Sequence, residues 1–196
     1  MACGMEWLKW LSGNGCLPRK GRLLDIGEAC LLNADAEDLM MILQRHGGVT
    51  EGDDIRSKID YLAYRSRLCG HPTIQTLFLS EVMELTNVNY VSFDVVSSRV
   101  ARRFDLNYHS LAASKRNSFD LVVNFGTTEH IVNQFNAFKV IHEATKPGGY
   151  MFHQVPSTGY LTHGYFEYNA LTLQRYISSG VRCFWREIRA ARLRCW

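Results

Sequence analysis

Residues 117–156, NSFDLVVNFGTTEHIVNQFNAFKVIHEATKPGGYMFHQVP, decide the fold. Leu121, Val122, Val123 and Phe125 make a continuous apolar run, which predicts a strand over Phe119 to Phe125 that is covered on both faces. A polar turn, Gly126 to Glu129, follows. Ile131, Phe135, Phe138, Ile141 and His142 then recur at three- and four-residue spacing, one face of a helix running from about His130 to Thr145. Lys146-Pro147-Gly148-Gly149 reads as its stop, and Tyr150 to Val155 as a second buried strand. Strand, helix and strand with short connections form a βαβ unit with a right-handed crossover. Asn124, Thr127, Thr128, Glu129 and His130 therefore fall outside the carboxyl end of the first strand, where open α/β sheets bind ligands.

Working outward, Arg22 to Gly27 (RLLDIG) is a strand that ends in Asp-x-Gly, a sharp turn where glycine lets the backbone approach a ligand. Residues 5–11, with Trp7 and Trp10, suit a short covering helix, and packing is the better reading of both tryptophans. Asp35 to His46 and a segment from Asp53 or Asp54 to Gly70 carry helical apolar periodicity; residues 35–72 read as a helical insertion or lid. Thr73 to Leu85 reads as the crossover helix leading into the strand Asn89 to Asp94, and Phe104 to Asn107 as a third, shorter strand. Beyond the central unit, 157–168 is a Gly-, Tyr- and His-rich loop and 169–178 a helix.

With 196 residues, 46% of them hydrophobic, the chain can bury one sizeable core. The formal charge of +3 is uneven: five arginines (182, 186, 189, 192, 194) face one acid, Glu187, after residue 181, and the body is near neutral. That leaves no electrostatic footprint for nucleic acid, and the arginine run reads first as a solvated face. Cysteines 3, 16, 30, 69, 183 and 195 show neither C-x-x-C pairs nor regular spacing with histidine, so neither a metal site nor a disulfide framework is read; a reducing, cytoplasmic setting is expected. Glu6 and Lys9 interrupt the first apolar stretch, unlike a signal peptide, and no run approaches a membrane span. Composition is silent on oligomeric state.

The order of strands, with FDLVVNFGTTEHI, KPGGYMFHQVP and the later His163-Gly164-Tyr165-Phe166, resembles the class I S-adenosylmethionine-dependent methyltransferases over roughly Arg22 to Tyr176. It looks like a subgroup with a G-T-x-E-H turn after the fourth strand and an H-G-[YF]-F element after the fifth. The resemblance implies a Rossmann-like, doubly wound, mostly parallel α/β sheet and S-adenosylmethionine as cofactor. It implies that Asp25 and Gly27 border the methionine end, that Asp94 accepts the ribose hydroxyls, and that Asp105, Leu106 and Asn107 flank the adenine. Asn124 and Gly126, with the rest of 124–130, would line the floor. Glu129, His130 and His163 are the candidate catalytic groups, since an oxygen or nitrogen acceptor needs a base. The expected acceptor is a small molecule or glycan. His153, inside an apolar strand, reads as a satisfied core residue.

Two departures from that pattern stand out. The turn after the first strand, Asp25-Ile26-Gly27-Glu28-Ala29-Cys30, has a single glycine. The family's sheet ends in two further strands, whereas here only Val181 to Trp185 reads as one; Arg186 to Arg194 reads as a basic helix or tail, so the C-terminal edge reads as incomplete. The resulting division is a methyltransferase-like domain over 1–180 and a basic tail over 181–196. A non-catalytic scaffold that kept the fold is the rival reading. A nicotinamide-dependent oxidoreductase is disfavoured, because no G-x-G-x-x-G follows the first strand.

Overall fold

The computed structural model describes residues 2–47, 53–68, 73–157, 163–169 and 182–188. In chain order its elements are β1 (Ala2–Gly4), α1 (Met5–Gly13), β2 (Gly21–Ile26), β3 (Cys30–Leu32), α2 (Ala36–His46), α3 (Asp53–Ser66), α4 (Leu79–Met83), β4 (Val88–Asp94), β5 (Ala101–Arg103), β6 (Phe119–Phe125), α5 (Gln134–Ala144), β7 (Thr145–Pro156) and β8 (Arg182–Ile188). Six strands form one parallel sheet in the order β5-β4-β2-β6-β7-β8, and β1 pairs with β3 beside it. The chain thus builds outward from β2 in one direction, returns, and builds outward in the other. The reversal lies between β2 and β6, the switch point where such sheets open a crevice at the strands' carboxyl ends.

Alternation along the strands explains why the central runs are apolar throughout. Leu23, Leu121, Val123, Phe125 and Phe152 face one layer, with α1, α2 and α3; Leu24, Ile26, Val122 and Met151 face the other, with α5. Trp7 and Trp10 lie 5.8 and 6.0 Å from the Phe152 ring, a packing role as expected. Residues 36–66 supply core side chains to the first layer, among them Leu39, Ile42, Leu43, Ile59, Leu62 and Ala63. His153 is buried, and Nδ1 takes the Asn124 amide at 3.2 Å; burial pulls its imidazole down to about 4, so it is a neutral core group.

Several boundaries differ from the sequence reading, each for a local reason. The helix expected over 73–85 is only the short α4. Upstream of it Arg65, itself buried, captures the carbonyls of Gln75 (2.9 Å) and Thr76 (2.7 Å) and pairs with Glu81, while Leu31 N–H bonds the Leu77 carbonyl. Backbone carbonyls held this way are lost to a helix ladder. The third strand is β5, just before Phe104 to Asn107, because Asp105 accepts from the Asn107 backbone and folds that stretch into a turn. α5 starts at Gln134, where Asn133 caps the Asn136 N–H at 3.1 Å; Thr128–His130 forms a separate 3-10 turn.

The Lys-Pro-Gly-Gly stop lies inside β7 as an irregularity opposite Asp120: Thr145 pairs with Phe119 and Tyr150 with Leu121. Gly148 takes φ 78° there. At the other edge β8 runs on through Ile188 and pairs in parallel with β7, so Arg186 to Ile188 belong to the sheet and not to a helix or tail. The helix expected over 169–178 lies outside the described residues except at Asn169. Among the described residues no helix is long and apolar enough to cross a membrane.

Candidate functional site

The turn after β2 is shaped from beneath. Gly27 adopts φ 93° and its N–H bonds the Phe93 carbonyl at 2.7 Å. Asp25 is fully buried under it: Oδ2 accepts from the Ala29 N–H (2.8 Å) and the Tyr90 hydroxyl (2.6 Å), and Oδ1 has no hydrogen-bond partner among the described residues. Burial pushes the Asp25 carboxyl up to about 6, and burial followed by the Asp25 charge pushes the Tyr90 phenol up. Ser92 Oγ accepts the Glu28 N–H at 2.8 Å. Hydrogen bonds to the Asp25 and Ser92 side chains thus fix the turn. Gly27 reaches the crevice, whereas Asp25 supports it from below.

At the carboxyl ends of β2, β4, β5 and β6 lies a cavity of about 340 Å³. Gly27, Phe93, Asp94, Val95, Phe104, Leu106, Asn107, Thr127, His130 and Ile131 line it. Phe93 and Phe104 stack with centroids 4.5 Å apart and planes 11° from parallel, giving the slot a flat apolar wall. Asp94 ends β4 at the mouth, its Oδ1 accepting from the Val96 N–H at 3.0 Å. No helix follows it, so it is not a helix cap. The volume and mixed lining match sites for small organic ligands, about 300–1,000 Å³.

Asp105 and Asn107 are held differently from Leu106. Asp105 Oδ1 accepts from the Asn107 N–H at 2.8 Å and from its side-chain amide at 3.1 Å. Asn107 Oδ1 in turn accepts from Val132 and Asn133 N–H, both at 3.0 Å, and Asn136 donates to the Leu106 carbonyl at 2.8 Å. The cavity wall is therefore stitched to the start of α5. Asn124 and Gly126 lie below the floor. Asn124, fully buried, accepts the Thr127 N–H at 3.1 Å and donates to Thr128 Oγ1 at 2.8 Å, and the Thr127 hydroxyl bonds the Ile26 carbonyl.

Glu129, His130 and His163 come together, although His163 is 34 residues from Glu129. One carboxylate oxygen and one ring nitrogen of each histidine lie within 4.8 Å of one another. Glu129 is fully buried, and among the described residues neither carboxylate oxygen has a hydrogen-bond partner; His163 Nε2 stands 3.5 Å from Oε1. Burial pushes the Glu129 carboxyl up to about 7, and burial, then the His163 charge, pulls His130 down.

The two motifs dock through their backbones and their glycines. Tyr165 N–H bonds the Glu129 carbonyl at 2.8 Å. A methyl group at Gly164 would stand 2.9 Å from Glu129 Cγ and from its carbonyl oxygen. Gly126 has φ 78°, and a side chain there would crowd Glu129 Oε1 at 3.1 Å. His130 belongs to both the cavity wall and this cluster, which joins the two parts of the site.

Of the residues singled out in the sequence, Gly27, Asp94, Leu106, Asn107 and His130 line the cavity; Glu129 and His163 adjoin it through His130. Asp25, Asp105, Asn124 and Gly126 shape it without lining it. Sequence reasoning missed the aromatic wall. Phe93 and Phe104 each sit one residue before a singled-out acid, and that adjacency was the available signal.

A doubly wound parallel sheet with a ligand-sized crevice at its switch point defines the class of Rossmann-like, nucleotide-type binding folds. A family model described as a methyltransferase domain matches residues 5–189, and the chain belongs to that family. The class I resemblance thus extends over nearly the whole sequence, through β8. No curated protein matches the chain.

Proposed function

We propose that this methyltransferase takes S-adenosylmethionine in the cavity and methylates an oxygen or nitrogen of a small-molecule or glycan-type acceptor. One observation carries the reading: the crevice shares His130 with a buried, unpartnered carboxylate, so a cofactor slot and a proton acceptor are contiguous. The lining suits the cofactor. The flat Phe93–Phe104 wall with Leu106 and Ile131 suits an adenine, and a carboxylate at the end of β4 suits paired ribose hydroxyls. When bound, S-adenosylmethionine supplies an electrophilic methyl carbon on a sulfonium leaving group.

The protein's own residues then have to align, exclude water and take a proton. Glu129, held near 7 by burial, has a proton affinity matched to neutral pH and receives the acceptor's proton. His163, half exposed at 3.5 Å, passes it to solvent. Tyr165, 71% exposed beside the cluster, offers an aromatic face on which a sugar or ring acceptor stacks. The free, buried thiol of Cys3 agrees with a reducing, cytoplasmic setting.

Calorimetric titration with S-adenosylmethionine and S-adenosylhomocysteine tests this directly. Micromolar binding is expected, weakened in Asp94→Ala by about 1–3 kcal/mol through loss of charged hydrogen bonds. A folded protein that gives no heat with either ligand refutes the reading and favours the non-catalytic scaffold.

A further inference from the structure

We infer that Glu129, His130 and His163 form a binding site for one divalent transition-metal ion of the zinc class. Three observations converge on it. First, the donor set of one carboxylate oxygen and two imidazole nitrogens, gathered within 4.8 Å, is the kind that zinc and its first-row neighbours take. Second, both Glu129 oxygens are buried without a hydrogen-bond partner. A buried carboxylate in that state is costly unless something positive or a proton meets it, and among the described residues only His163, at 3.5 Å, approaches it. Third, both histidines are exposed among the described residues, which gives an ion access from solvent, and three protein ligands leave a tetrahedral ion one open position.

The spacing is close to what coordination needs. Metal–ligand bonds of about 2.0–2.1 Å in a tetrahedron put ligand atoms roughly 3.4 Å apart. Glu129 Oε1 and His163 Nε2, at 3.5 Å, already meet that. The remaining edges close by rotation of the exposed His130 side chain, whose ring centroid is 5.3 Å from that of His163. The docked backbones fix the rest: the Tyr165 amide holds the Glu129 carbonyl, and Gly126 and Gly164 leave the carboxylate its space.

Cysteine spacing gave no hint of this site, since its ligands come from two histidines and an acid that only the fold brings together. Ion binding is independent of the methyl-transfer reading. Its role there rests on that reading: with the ion bound, Glu129 and His163 serve as ligands in place of the base and relay, and the ion acidifies an acceptor hydroxyl at the open position, whose proton leaves to solvent.

The test is titration of the EDTA-treated, dialysed chain with cobalt(II), followed by visible absorption, then displacement with zinc(II). One cobalt per chain is expected, with ligand-field bands and no thiolate charge-transfer band. His163→Ala, His130→Ala and Glu129→Gln should each weaken binding about tenfold or more. Absence of saturable binding by the folded protein, binding that shows thiolate bands, or binding that none of the three substitutions weakens overturns the site. Calorimetry with S-adenosylmethionine on the same metal-free samples separates this result from the cofactor question.

Discussion

Replacing Glu129 by glutamine should make the protein more stable at alkaline pH while abolishing methyl transfer. Glutamine keeps the shape and removes the charge from a fully buried position. The carboxyl is pushed from an ordinary 4.5 to about 7 by burial. The folded state therefore holds its proton over a range in which the unfolded chain has lost it. This proton linkage favours folding below about 4.5 and fades as pH rises towards 7, after which the full penalty of a buried anion remains. At about 1.4 kcal/mol for each pH unit, the penalty is roughly 3 kcal/mol, an upper bound because His163 stands 3.5 Å away.

Urea unfolding of metal-free wild type and Glu129→Gln at pH 5, 6, 7 and 8 measures it. The variant should be nearly as stable as wild type at pH 5 and gain progressively, up to about 3 kcal/mol, by pH 8. Parallel stability curves for the two proteins would refute the assignment of a buried, unpaired carboxylate. In an assay of the metal-free wild-type enzyme, kcat/KM should rise with pH through about 7 as the same group ionises.

Other outcomes follow from the same geometry. Gly164→Ala places a methyl group 2.9 Å from Glu129 Cγ and carbonyl oxygen, so it should lower kcat/KM at least tenfold with an unchanged far-ultraviolet spectrum; wild-type activity would show that the docking of residues 163–166 is incidental. Tyr90→Phe removes a hydroxyl donated to Asp25 at 2.6 Å. It should cost about 1–3 kcal/mol in urea unfolding at pH 8 and less at pH 4, where Asp25 is protonated.

The fold was legible where side chains alternate on a two-sided sheet. Leu121 to Phe125 and Leu23 to Ile26 show it through burial on both faces, and Asn89 to Asp94 through its two-residue alternation. Legibility failed where one distant side chain redirects the backbone. Nothing local to Gln75 and Thr76 announces that Arg65 will take their carbonyls, and nothing near Lys146 announces that it will lie against Asp120 within a strand.

The site divides in the same way. Gly27, Asp94 and His130 could be placed from strand ends, because a parallel sheet sends every strand end to one edge. The supporting roles of Asn107, Asn124 and Asp25 could not, since each depends on which loop lies opposite.

Asn107 has one face in the cavity and its carbonyl oxygen on the amides of Val132 and Asn133, immediately after the turn that carries Glu129 and His130. It works as a strut between two rooms of one house. Removing its side chain therefore takes a surface from the cavity and, in the same stroke, two anchors from the backbone that leads into α5. Any change at this residue made to alter the cavity also alters the backbone that follows Glu129 and His130.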